Sequence, residues 1–500
     1  MIAILTMLAL AVVSTLIERG RGRTMMSHLK EQMLAAGEVL DIDKLEPPRV
    51  PADENCRAEL EGLLEEMNGL PEPDPMEPTW QFPTPLRINR PSEGTVAWKQ
   101  DRFVEEDDIF ETSCDYGWGD LKEPIALAEP FLQRLPAILD GKRLDSGIDY
   151  RGGFYGDLKA GFYTKIRLLI KRLSTGAMAA MRAGEREKAH RYASRILALV
   201  EMTRNERLII SQLLRANFAR TATETIWELL ADDGWEDAQL RDLQERCESL
   251  SFMKPMLAAI EMERAMTFAE FRRLRDSPEY LGKALEMAEL MDELLPNGGG
   301  VFHTSKAHVA LWRLLWSEHD EHNSIAHWKQ LVDAFRAAES SWNAPETRRM
   351  FDELEEPEGL GGAARLPSED RSWYERTRFL FSGAISLLNT HALIRRKLQM
   401  ETLNRLAITA LALKRHRLKA GVYPETLAEL TPEFLARPML DPMTGKTLIY
   451  RRSAGDVFHL YSAGMNGVDD GGDATQGEGD ALDPLWDGKD IVWPAYATVR

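Results

Sequence analysis

The chain has 500 residues, of which 44% are hydrophobic and 28% charged, with a formal net charge of −18. That length gives a prior of roughly three domains and ample material for a buried core, while an acidic balance without a long Lys/Arg block argues against a phosphate-tracking surface and hence against nucleic acid as a partner. Cys56, Cys114 and Cys247 are widely spaced with no CxxC, which excludes a zinc ribbon, offers no disulfide framework and leaves the compartment open.

In chain order, residues 1–23 come first. "MIAILTMLALAVVSTLI" carries no charged side chain from Met1 to Ile17, and "ERGRGR" follows. Seventeen helical residues rise about 25 Å, slightly short of the roughly 30 Å hydrocarbon core. The expectation is a membrane helix, an uncleaved anchor in preference to a cleaved signal or a buried soluble helix. No basic side chain precedes the apolar run, and Ala9-Leu10-Ala11 falls inside it, unlike a cleaved signal. Arg19, Arg21 and Arg23 would by the positive-inside rule hold the rest of the chain in the cytoplasm, so the span does not fix its own direction.

Residues 24–67 read as a helical segment broken at "LEPPRVPADEN". Residues 68–157 are Pro/Gly-rich and expected to be mostly irregular, because each proline removes a donor and restrains its predecessor. "SCDYGWGD" and "YRGGFYGD" there read as turns, and neither has the spacing of a phosphate loop.

Residues 158–400 read as a helical array. Leu168, Leu169, Leu173 and Met178 mark one apolar stripe, and Ala189, Ala193, Ile196, Leu197 and Val200 the next, joined at "AGERE". The pair resembles a tetratricopeptide-type helical hairpin, without its full consensus, and such an array offers a surface for a protein partner. Five histidines, His303, His308, His319, His322 and His327, crowd one stretch of it. His319, His322 and His327 are the candidate ligands of an alternative metal site, zinc being the metal such nitrogens and nearby carboxylates would suit. A metal-dependent enzyme using the His303–His327 cluster is therefore one alternative function, although HExxH is absent.

Residues 401–500 begin with an amphipathic helix. Leu403, Leu406, Ala407, Ala410 and Leu413 form its stripe, Lys414, Arg415, Arg417 and Lys419 place positive charge at its end, and Gly421 stops it. "DPMTGKTLIYRRS" and "DVFHLYSAG" then read as two β-runs. From Asn466 through Asp490 there are eight carboxylates and one lysine. Folding them together without a cation would cost repulsion, and oxygen ligands on a glycine-rich backbone suit Ca²⁺.

The order of a helix, "GVYP", "LDPMTG", "YSAGMNG", an acidic loop and "DIVW" is similar to the carboxy-terminal half of the major pseudopilins of type II secretion. The resemblance covers roughly Leu403 to Pro494. It implies a small α+β module, with a helix on a short antiparallel sheet and a calcium-binding loop between strands. Asn466 stands where the family has its first ligand aspartate, Asp490 matches an acidic ligand at the loop's end, and the Ala463 carbonyl matches a backbone ligand. Asp469 and Asp470 are placed to contribute. The asparagine and a longer stretch from Asp473 to Lys489 depart from the family pattern, and the apolar run precedes "TLIE" where a prepilin's would follow. The chain is accordingly not expected to be a filament subunit.

Fold class is thus expected to be mainly α, with an N-terminal membrane helix, a repeat-like helical array and a small C-terminal α+β module. The leading function is a membrane-anchored extracytoplasmic protein, its C-terminal part periplasmic or extracellular, with a binding or structural role. A cytoplasmic helical adaptor is the remaining alternative.

Overall fold

A computed structural model describes residues 2–68, 70, 96–107, 112–153, 160–294, 306–341, 381, 390–453, 457–474 and 489–494. The protein is mainly helical, with a small three-stranded antiparallel sheet near its C-terminus. The long helices are α1 (Ile2–Ala35), α2 (Arg57–Asn68), α3 (Trp118–Leu132), α4 (Ala160–Arg182), α5 (Arg186–Met202), α6 (Ile209–Leu230), α7 (Asp237–Ser249), α8 (Met253–Asp276), α9 (Pro278–Leu294), α10 (Ser317–Ser341) and α11 (Thr390–Ala420). A hairpin of β1 (Arg102–Asp107) and β2 (Thr112–Gly117) precedes α3, and the C-terminal sheet has the order β3 (Ile449–Ser453), β4 (Val457–Ser462), β5 (Ile491–Trp493).

The array forms where periodicity places it. Helix α4 packs on α5, α5 on α6, and α6 returns to α4. The turn between α4 and α5 closes through Gly184, whose φ of +77° lets the Glu185 amide reach the Ala180 carbonyl at 2.8 Å. Leu169, Leu173, Met178, Ala189, Ala193, Ile196, Leu197 and Val200 are buried and Leu168 is half-buried at the edge of its stripe, so both stripes read from the sequence face the core.

Two expectations change. Residues 68–157 are not mostly irregular where they are described: "SCDYGWGD" runs from strand β2 straight into helix α3. Helix α3 carries Pro124 and Pro130 internally, yet buries Leu121, Ala128 and Leu132. Tertiary burial outweighs a local penalty of about 3 kcal/mol per proline. The Asp120 carboxylate accepts the Gly117 amide at 2.7 Å and fixes the helix start. Of "YRGGFYGD", Tyr150–Gly152 is a single 3₁₀ turn, and 154–159 lie outside the described residues.

The boundary expected between residues 400 and 401 also falls inside a helix. Helix α11 begins at Thr390 and packs on both α6 and α7. Lys414 and Arg415, read as dipole-compensating charges, are buried and bridge to the array instead. Lys414 Nζ lies 2.5 Å from the Asp233 carboxylate, and Arg415 donates to Asp237 at 2.8 Å and to Gln244 at 3.0 Å. Gly421 does end the helix, with φ +81° and its amide on the Arg417 carbonyl. One continuous core runs from Met26 on α1 to Trp493 on β5.

Helix α1 divides in two. Its C-terminal half buries Met26, Leu29 and Met33 against α10, whereas Val13, Leu16 and Ile17 are exposed. The "ERGRGR" segment sits at the boundary and is helical. Gly22 lies so close to α10 that a Cβ there would meet the His319 ring at 2.9 Å. Arg23 pairs with Glu318 at 3.3 Å, and the His319 imidazole sits 3.0 Å from the Glu18 carbonyl. Most of the apolar stretch from Met1 to Ile17 has side chains outside the described set. Among the described residues, no helix is long and apolar enough to cross a membrane.

Candidate functional site

The C-terminal module is built on Asp441. Its side chain is buried and both oxygens are used. One accepts the Met443 amide at 2.9 Å and the Ser462 hydroxyl at 2.8 Å; the other accepts the Thr444 hydroxyl and the Ala463 amide, both at 3.2 Å. The "DPMTGK" loop closes on the same residue, since the Asp441 amide reaches the Lys446 carbonyl and the Gly445 amide reaches the Asp441 carbonyl. So "LDP" and "YSAG", two separate pieces of the sequence pattern, are tied into one structure by a single carboxylate. The sequence places Asp441 at the head of a β-run, but the strand begins only at Ile449 and Asp441 anchors the loop before it; the Asp-Pro-x-x-Gly string was the available signal.

Strand β4 pairs with β3 on one side and with β5 on the other, placing Ser462 opposite Ile491. The chain leaves β4 through Ala463 and Gly464. Gly464 has φ +60°, and a Cβ there would run into the Lys489 carbonyl. Only glycine allows this crossing, which sets the Ala463–Gly464 segment against Lys489–Asp490.

Asp490 is the centre of the acidic loop. It is 2% exposed, and its oxygens accept backbone amides from Gly472 at 2.7 Å, Asp473 at 3.1 Å and Asp470 at 3.4 Å. Burial nonetheless pushes its carboxyl above the usual range, with the neighbouring Asp470 charge adding in the same direction. The nearby ammonium of Lys489 is turned to Asp473, at 2.9 Å. The Asp490 amide donates to the Asp473 carbonyl, so residues 473 and 490 close the neck of the loop. Glu478, Asp480, Asp483 and Asp487 lie outside the described residues.

The other candidates take distinct places. Asn466 donates to the Asp470 carboxylate at 2.8 Å and accepts the Val468 amide at 2.9 Å, so it sits beside Asp470. Asp469 turns away from them. It accepts the Tyr461 hydroxyl at 2.8 Å and the Arg451 guanidinium at 3.3 Å. The amide of Gly471 and these donors hold its carboxyl below the usual range. Asp470 and Asp490 therefore converge, Asn466 joins them through Asp470, the Ala463–Gly464 backbone passes Lys489–Asp490, and Asp469 belongs to an outer face of the sheet. The converging donors are all oxygen-bearing and lie on a glycine-rich backbone, with a buried carboxylate that backbone amides alone do not bring to its ordinary acidity. That donor chemistry fits a hard cation.

The histidines are part of the α1–α10 junction. His319 meets Glu18, with 3.4 Å from its Nε2 to the carboxylate. His322 is half-buried, and burial followed by the proximity of His319 lowers its pKa. His327 is buried further along α10, and His303 lies outside the described residues. The intervening acids are engaged elsewhere. Asp320 accepts the Trp312 indole at 2.9 Å and the Phe381 amide at 2.8 Å, and Glu321 pairs with Arg275 at 2.6 Å. Among the described residues, no three His, Cys, Asp or Glu side chains gather in a way that would hold a metal ion.

The chain matches no protein family, no curated protein and no solved structure.

Proposed function

We propose that this protein is a membrane-anchored extracytoplasmic scaffold with a binding or structural role, whose pseudopilin-like C-terminal module is stabilised by Ca²⁺. The observation that carries the anchor is the division of α1: the same helix buries Met26, Leu29 and Met33 in the core and leaves Val13, Leu16 and Ile17 exposed, next to an uncharged run that ends at Ile17. Exposed apolar side chains such as Val13, Leu16 and Ile17 would be stabilised by lipid. In the module, Asp490, Asp470, Asn466 and the Ala463 carbonyl would hold the ion. Its charge would offset the repulsion between Asp470 and the buried Asp490. Extracellular modules bind calcium at about 10⁻⁴–10⁻³ M, a range the exterior supplies.

Two measurements on the full chain test this. In flotation with vesicles, the full chain is expected to rise with the lipid, and a variant with Leu5, Leu8 and Val12 replaced by Asp to stay below; equal behaviour would remove the anchor. For calcium, melting at about 1 mM Ca²⁺ should exceed melting in chelator by several degrees. An identical transition with Ca²⁺, Mg²⁺ and chelator would remove the ion.

A further inference from the structure

We infer that the protein meets the bilayer with a second element beside its N-terminal helix: the π-helical turn Trp312–Trp316, whose Leu314, with Leu311 just before it, would lie at the lipid interface. This rests on the anchor reading above and deepens it.

Glu18 and Arg23 of α1 meet His319 and Glu318, and Glu38, just past the end of α1, pairs with Arg336 near the far end of α10. Twenty residues from Glu18 to Glu38 match seventeen from His319 to Arg336, so the two helices run parallel. Their N-terminal ends point the same way.

The chain is helical without interruption from Lys306 through the π-turn into α10. Leu311 and Leu314 therefore lie one to two turns before Glu318, at the height of the α1 residues one to two turns before Arg23. The π-turn packs against α1 there. At this level the two helices expose five apolar side chains, from 46% for Leu311 and Leu314 to 64% for Leu16, with Val13 and Ile17 between. Leu311 and Leu314 thus lie on the element that packs beside the stretch of α1 exposing Val13, Leu16 and Ile17.

Just behind these side chains the exposed charge is positive. Arg21 and Arg23 are 71% and 60% exposed at their side chains, whereas their partners Glu18 and Glu318 are 21% and 11% exposed. Outward-facing guanidinium groups behind an apolar tip match the phosphates of lipid headgroups above acyl chains, which either leaflet presents. A second copy of this chain would present the same positive band and repel it. The bilayer is therefore the occupant this surface fits. Within the π-turn Leu314 is exposed, as is Leu311 just before it, while Trp312 is fully buried and donates to Asp320.

The test uses the full chain with its native cysteines replaced and one new cysteine at Leu314, carrying an environment-sensitive fluorophore. A second labelled variant at Leu418, exposed at the far end of α11, serves as reference. Both are bound to vesicles of phosphatidylcholine and phosphatidylglycerol, with and without a nitroxide-bearing lipid. Most of the Leu314 emission should be quenched by the nitroxide lipid, and the Leu418 emission should be unchanged. Protein that floats with the vesicles but leaves the Leu314 probe unquenched overturns this inference and spares the anchor. Concentration-dependent self-quenching at Leu314 without lipid quenching overturns it in favour of a second copy. Failure to float sinks the anchor and this inference together.

Discussion

Asp441 and Asp490 are two buried aspartates of one small module, 1% and 2% exposed, and they are solved differently. Asp441 takes four donors, two of them hydroxyls, from two loops that it joins. Asp490 takes three amides from a single loop and has Asp470 beside it, so its charge stays undercompensated. The first carboxylate is a structural knot that completes itself. The second has one donor fewer and a like charge beside it.

The comparison can be broken most severely at Asp441. Asp441→Ala would leave the Ser462 hydroxyl and the Ala463 and Met443 amides buried without acceptors, at about 1–3 kcal/mol each before relaxation. A loss of about 3–5 kcal/mol is expected in denaturant unfolding of the full chain in chelator. A loss under about 1 kcal/mol would show that the knot is decorative. Next in size is Gly464→Ala. The left-handed backbone and the collision with the Lys489 carbonyl together should cost about 2–4 kcal/mol, and here the calcium response should disappear as well, because the crossing sets Ala463 against Asp490. A variant as stable as the parent would mean that the crossing is not needed.

The smallest effect sharpens the contrast itself. Asp490 has a raised carboxyl pKa, so in chelator its contribution is fully present below its ordinary value of 3.8 and is lost as pH rises through the raised one. Asp490→Asn should flatten that part of the stability profile. With calcium present the sign reverses, since the ion competes with the proton, and stability in the parent should rise over the same window. If parent and variant have the same pH profile in both conditions, Asp490 resembles Asp441 after all.

Much of this fold was legible in the sequence, and the gaps have physical reasons. The stripes of α4 and α5 could be read because every third or fourth residue faces one core. Gly421 and the β-runs after it could be read because turn chemistry is local. Helix α3 could not, because two prolines argue against a helix and only its burial against α4 argues for one. The same holds for Lys414 and Arg415, whose carboxylate partners lie some 180 residues away. In the loop, a charge count found the right neighbourhood. It could not separate Asp469, which answers to Arg451 and Tyr461, from Asp470, because those partners come from β3 and β4.

The Trp227 indole donates to the Pro494 carbonyl at 3.0 Å, across 267 residues of chain. With Met26 and Trp493 in the same core, that bond puts the protein on a clock. The first helix leaves the ribosome at about 5–20 residues per second, roughly half a minute or more before Trp493 is synthesised. Until then the array is an open set of helices with the socket for Trp493 unfilled. Closing long sequence separations is slow, so the unfilled socket is exposed apolar surface for as long as the chain is being made.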